Sequence, residues 1–241
     1  MGEQALTTDY YEPDVSNLVT ENDTPVDNLF SEKEQRLLTS SLYSSWQGRT
    51  FLSSSNVGIF HSTEAPPIVP DVFVSLNVQP PENWWEKRNR SYFVWKFGKP
   101  PELVVEIVSN REGEELGDKL NIYAQIRVIF YIVHDQIRQL SDSPLRVFEL
   151  RGMRYFEISE NWLEQVDLGV TLWEGEFEGR QDTWLRWCDR QGNILPTGDE
   201  RNWQAEQRAT EAEHRASEAE RRAQLLAEQL RNLGINPDTI S

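Results

Sequence analysis

Two apolar runs, LVVEIV at residues 103–108 and VIFYIV at 128–133, constrain this chain more than any other feature. Each is a nearly continuous stretch of β-branched, leucine and aromatic residues, the pattern of a strand covered on both faces. Between them EGEELGDKLNIYAQI repeats Leu116, Lys119, Leu120 and Tyr123 at helical spacing. Strand, helix, strand implies a parallel crossover. LRVFELRG and MRYFEIS then alternate apolar with polar around Arg151 and Gly152, which predicts an antiparallel hairpin on the outside of the sheet. Upstream, the β-rich runs NVGIF and VFVSL lie between Phe51 and Leu76, divided by Pro66, Pro67 and Pro70. Before them SEKEQRLLTSSLYSSW, from Ser31 to Trp46, opens with a capping-box pattern of Ser31 and Glu34 and carries Leu37, Leu38, Ser41, Leu42 and Ser45 on one helical face. The predicted class is α/β, a mixed sheet with helices on its faces.

The composition changes at both ends. Residues 1–29 form an acidic arm with few apolar side chains, interrupted by Pro13 and Pro25. The α/β domain is expected over 30–160, a tryptophan-rich extension over 161–202, a long helix over 203–234 and a short tail over 235–241. In that helix Ala205, Ala209, Ala212, Ala216, Ala219, Ala223, Leu226 and Leu230 are spaced alternately by four and three residues, a coiled-coil seam of mostly small residues. Two readings stay open for it, self-association, with a dimer favoured, and a solvated single helix held by Glu to Arg pairs.

Several classes are excluded or disfavoured. No uncharged apolar run approaches the roughly 18 to 20 residues that cross a bilayer, and the first residues carry neither a basic start nor an apolar stretch. No membrane partner is expected. One cysteine, Cys188, excludes an internal disulfide and a zinc site built on several thiolates, and suits a cytoplasmic location. The net charge of −16 argues against a phosphate-backbone partner, but nine acids and one base fall in the first 35 residues, so half of the excess sits in that segment.

Asp71 stands after Pro70 at the head of VFVSL, and Glu106 sits inside a strand that is otherwise apolar. Thirteen residues later Lys119 directs an ammonium toward the apolar side of its helix, where an unpaired charge would cost several kcal/mol. A hard divalent cation takes one or two carboxylates and completes its shell with water and phosphate oxygens. Asp71 and Glu106 at adjacent strand ends would supply such a site, with Lys119 neutralising charge on phosphorus. Structural readings stand beside these: Asp71 as a turn cap, and Lys119 snorkelling to water. No Gly-rich phosphate loop or nucleophile elbow is present. His61, His134 and His214 lack ligand spacing.

From about Phe30 to Ile158 the chain resembles the PD-(D/E)XK nuclease superfamily, and within it the Uma-type family of restriction-endonuclease-like proteins. The resemblance rests on VPDVFVSL, PPELVVEIVSN, GDKLNIYAQI and VIFYIVHD, in that order. It implies a restriction-endonuclease-like mixed β-sheet core, a magnesium-dependent (Mg2+, with Mn2+ as a substitute) endonuclease acting on nucleic acid, DNA first, and metal-binding acids at Asp71 and Glu106. It also implies a backbone carbonyl ligand at Ile107 and the catalytic lysine at Lys119, since Val108 occupies the superfamily's usual lysine position. An additional acid on the first helix falls to Glu34, with Glu32 as its rival. Where the family has glycine before valine, this chain has Arg127.

The insertion NWWEKRNRSYFVWKFGKPP holds Lys87, Arg88, Arg90, Lys96 and Lys99 among Trp84, Trp85, Tyr92, Phe93 and Trp95. Cations for phosphates and rings for bases make it the expected nucleic-acid surface. The competing reading is an amphipathic hairpin whose rings enter the core. Ser109 and Asn110 either touch a phosphate or only start a loop. The alternative function is a nuclease-fold module with little or no catalysis that binds nucleic acid or protein and oligomerises through its helical tail.

Overall fold

The computed structural model describes residues 28–109, 115–234 and 236–237, so the acidic arm up to residue 27, Asn110 and most of the tail lie outside the described residues. The chain divides into two units, Met1–Leu195 and Pro196–Ser241.

The first unit is built on a six-stranded mixed sheet in the order β1-β3-β5-β6-β7-β8. Its strands are β1 (Phe51–Ser55), β3 (Val72–Leu76), β5 (Leu103–Ile107), β6 (Phe130–His134), β7 (Leu145–Arg151) and β8 (Arg154–Ile158). The two apolar runs are β5 and β6, adjacent and parallel, buried along their whole length. Helix α3 (Asp118–Gln125) makes the crossover. β7 and β8 form the expected antiparallel hairpin at the sheet's edge.

Alternation decides the two faces. Leu103, Val105, Ile107, Phe130 and Ile132 point to the side of helix α1 (Leu29–Ser45), where they meet Leu38, Leu42 and Trp46. Val104, Val108, Tyr131 and Val133 point to the α3 side with Tyr123 and Ile126. Helix α1 starts earlier than its capping-box pattern suggests. Asn28 is the N-cap, its side chain accepting from the amides of Phe30 and Ser31, and Ser31 lies buried inside the first turn. A β-region residue with a short acceptor side chain, Asn28, was available three positions before the helix's first serine, and it took the cap.

The tryptophan-rich stretch folds into a three-stranded antiparallel sheet, ordered β11-β10-β9, from β9 (Trp162–Leu163), β10 (Leu168–Phe177) and β11 (Arg180–Cys188). It closes over α1. Val170, Leu185 and Trp187 share the core of the main sheet's α1 face, and the Trp187 indole N–H donates to the Leu38 carbonyl at 2.9 Å.

The insertion is not a hairpin. It forms a short 3-10 turn (Lys87–Asn89), strand β4 (Tyr92–Phe93), which pairs in parallel with β2 (Ile59–Phe60), and a single helical turn, α2 (Val94–Phe97). Tyr92 and Phe93 enter the core, while Trp84 and Trp85 stay exposed, so each reading of its rings holds for part of the segment. Arg127 has φ +70°, the left-handed region that costs a non-glycine residue on the order of 1 kcal/mol. The second unit is one helix, α4 (Gly198–Asn232), started by a complete capping box between Thr197 and Glu200. No helix among the described residues is long and apolar enough to cross a membrane.

Candidate active site

Asp71 and Glu106 meet because of strand register. β3 and β5 run antiparallel with Val72 opposite Val105, so one further step sets Asp71 beside Glu106 at a common end of the sheet. The 34 intervening residues, insertion included, do not disturb that end. The Asp71 carboxylate accepts the Ile107 backbone N–H on Oδ2 at 2.6 Å and the Gln35 side-chain amide on Oδ1 at 2.8 Å. Gln35 in turn accepts from the Asn56 side chain at 2.9 Å. Asp71 is thus an oriented carboxylate rather than a simple turn cap.

Glu106 is 1% exposed. Its Oε2 accepts from Lys119 Nζ at 2.8 Å and its Oε1 from the Tyr123 hydroxyl at 2.7 Å, both from α3, one helical turn apart. Lys119 does not snorkel away. Its ammonium also lies 3.7 Å from Oε1 of Glu115, a buried residue that precedes the helix.

One cation is shared among three acids. Burial pushes the Glu106 carboxyl up to about 8; Lys119 opposes that shift and the charge of Asp71 adds to it. Desolvation works to lower the Lys119 pKa, but Glu106, then Glu115 and Asp71, outweigh it and hold the ammonium charged. The Tyr123 hydroxyl is raised well above its ordinary value by burial and by Glu106, so it remains a donor.

The family follows from comparison with known sequences. The model of the Uma2 family, described as "Putative restriction endonuclease", matches residues 19–168, more than half of the 241-residue chain. The chain belongs to this family. It is also similar to the crystal structure of "a putative nuclease belonging to DUF820" from Anabaena variabilis, at 12% identity and a TM-score of 0.40, over 58% of this chain and 72% of that one. No curated protein matches.

In this Uma2-family chain the expected triad of Asp71, Glu106 and Lys119 shares one rim of the sheet. Ile107 reaches the same place through its amide. Glu34 does not join them. Its Oε2 pairs with His134 Nδ1 at 2.6 Å and its Oε1 accepts the Leu185 amide at 2.7 Å, on the α1 face, while Glu106 points to the α3 face. One residue on, Gln35 is the helix-α1 side chain that reaches Asp71; the apolar face drawn by Leu37, Leu38 and Leu42 could not distinguish two adjacent buried positions that aim into different neighbours. Glu32, the rival acid, is bound to Arg36 in an i,i+4 pair.

Sequence reasoning also passed over Tyr123 and Glu115. Tyr123 was taken for an apolar face residue, and its donor role needed the depth of Glu106 to be known. Glu115 stands four before Lys119, a spacing that could have flagged it. Its Oε2 is buried and has no hydrogen-bond partner.

The donor set suits a hard divalent cation. The candidate side-chain ligands are carboxyl oxygens, and one buried carboxyl oxygen, Oε2 of Glu115, lacks a hydrogen-bond partner among the described residues. Among the described residues no three or more His, Cys, Asp or Glu side chains are grouped so that they could hold a metal ion by themselves.

The insertion's cations divide. Lys99 is turned inward, donating to Glu102 at 2.6 Å and to Ser75 at 3.0 Å, and Lys96 donates to Asn89. Arg88 pairs with Glu86 and Arg90 donates to the Trp85 carbonyl at 3.2 Å; both remain exposed beside Trp84 and Trp85. Lys87 is half-buried. Ser109 offers its carbonyl to the Gln139 side chain, a loop contact.

Proposed function

We propose that this chain is a divalent-metal-dependent endonuclease that hydrolyses phosphodiester bonds of nucleic acid, with DNA as the first substrate. The reading is supported above all by the convergence of Asp71, Glu106 and Lys119, 35 and 13 residues apart in sequence, at one rim of the sheet. Asp71, Glu106 and the Ile107 carbonyl oxygen would hold Mg2+ or Mn2+. When bound, such an ion lowers the pKa of a water and neutralises charge on the phosphoryl oxygens.

The protein's own groups do the rest. Lys119 presents a charged ammonium to the phosphate as negative charge grows in the transition state, in a partly buried setting where that attraction is stronger than in water. Tyr123 fixes the Glu106 oxygen that Lys119 does not hold, and Gln35 together with the Ile107 amide fixes both oxygens of Asp71. Substrate would lie along the surface formed by Arg88 and Arg90 with the half-buried Lys87, and Trp84 and Trp85 would stack on unpaired bases; Lys96 and Lys99, tied to Asn89 and to Glu102 and Ser75, are turned away from it.

The test is incubation of the full chain with supercoiled DNA, single-stranded DNA and RNA in Mg2+ or Mn2+. Cleavage that stops on chelation and is lost in Asp71→Asn is expected. Absence of cutting with either metal overturns the proposal, and if nucleic acid is still bound the non-catalytic module takes its place.

A further inference from the structure

Helix α4 carries its charges in a pattern that specifies a partner. All of its residues are solvent-exposed or nearly so, none being buried along 35 residues. With the seam from Ala205 to Leu230 as positions a and d of a heptad, position g holds Arg201, Arg208, Arg215 and Arg222, and position e holds Glu206, Glu213 and Glu220. The repeat is visible as RATEAEH followed by RASEAER. An alanine seam on its own selects neither a partner nor an orientation. The flanking charges select both.

In a parallel pair of copies in register, each g residue faces the e residue five positions on in the other helix. Arg201 then meets Glu206, Arg208 meets Glu213 and Arg215 meets Glu220, on both sides of the seam. An antiparallel pair sets g against g and e against e, Arg to Arg and Glu to Glu. The lone-helix reading does find pairs, such as Arg215 to Glu211 at 3.5 Å. Such i,i+4 pairs fix only the distance between arginine and glutamate along the helix; they give no reason for the two to sort onto opposite flanks of one apolar seam.

We propose that α4 joins two copies of this chain as a parallel, in-register coiled coil. Small side chains in the seam bury little area per heptad, so Leu226 and Leu230 supply most of the apolar contact and the g-to-e pairs set the direction. Both 1–195 units are then tethered at the same end of the pair. This inference does not depend on the nuclease reading.

Sedimentation of the full chain tests association, and a single cysteine tests direction. The expected species has twice the 28.1 kDa chain mass. Ala205→Cys should form an intermolecular disulfide on mild oxidation, whereas wild type, which carries only the buried Cys188, should not. In an antiparallel pair two copies of residue 205 would lie on the order of 40 Å apart, and a mixture of Ala205→Cys with Leu230→Cys would cross-link instead. Reversing Arg201, Arg208 and Arg215 to Glu should return the chain to a monomer. A monomeric wild type, a 205-to-230 cross-link, or a dimer that survives the triple reversal without 205-to-205 cross-linking each overturns the proposal.

Discussion

The central sheet buries one acid–base pair on each face, and the two pairs are built differently. On the α1 face the side chains of Glu34 and His134 are both fully enclosed, and the second oxygen of Glu34 is taken by the Leu185 amide. That pair ties α1 to β6 and β11, with His134 Nε2 left buried and without a hydrogen-bond partner among the described residues. On the α3 face Glu106 is as deeply placed, but its partner Lys119 keeps 29% of its side chain exposed and is shared with Glu115 and the field of Asp71. Depth is common to both. Charge balance and access are what separate the two: the first is one acid on one imidazole, the second an ammonium that is partly exposed and shared among acids.

Substitutions should break the two pairs in different currencies. Asp71→Asn is expected to lower cleavage by about 100-fold or more with an unchanged denaturant midpoint, read from initial rates and urea unfolding on the same preparation. Glu34→Ala should do the reverse. It strands His134 and the Leu185 amide in the core and should cost about 3 kcal/mol of stability, while the cutting rate per folded molecule stays at the wild-type level. Equal loss of activity per folded molecule in both variants would erase the distinction.

Smaller effects sharpen it. Gln35→Ala should weaken Mg2+ binding about tenfold, measured by calorimetry, because Asp71 loses the donor that orients Oδ1. The pH dependence of stability should report Glu106. Its folded-state pKa of about 8 lies above the ordinary 4.5, so between those values the folded chain holds a proton that the unfolded chain has released. Stability contributed by this group therefore falls as pH rises from about 4.5 to about 8 and levels off beyond. Glu106→Gln should remove that slope in urea titrations run across the window in the absence of metal; an unchanged slope would assign it to other groups.

Much of this molecule was legible in its residue order. The parallel crossover followed from two doubly covered strands around a helical spacing, and β7 and β8 from strict alternation. Asp71, Glu106 and Lys119 stood out because each was a charge in an apolar context. The three-stranded sheet of β9 to β11 was not foreseen: its tryptophans and charged residues alternate too loosely to separate a strand from a packed loop until α1 is there to be covered. Glu34 and Gln35 show the same limit at the site. Both are buried, and their assignment to opposite neighbours depends on where β3, β6 and β11 happen to lie.

Local pattern by itself determined the elements, their parallel or antiparallel pairing in the core, and the heptad charges of α4, because each depends on neighbours at fixed short spacings along the chain. Only the tertiary structure decided that Asp71 sits beside Glu106, that Gln35 rather than Glu34 steadies it, and that Glu115 and Tyr123 complete the cluster. Those relations arise from register between strands and the depth at which a side chain ends, quantities that no spacing in the sequence encodes.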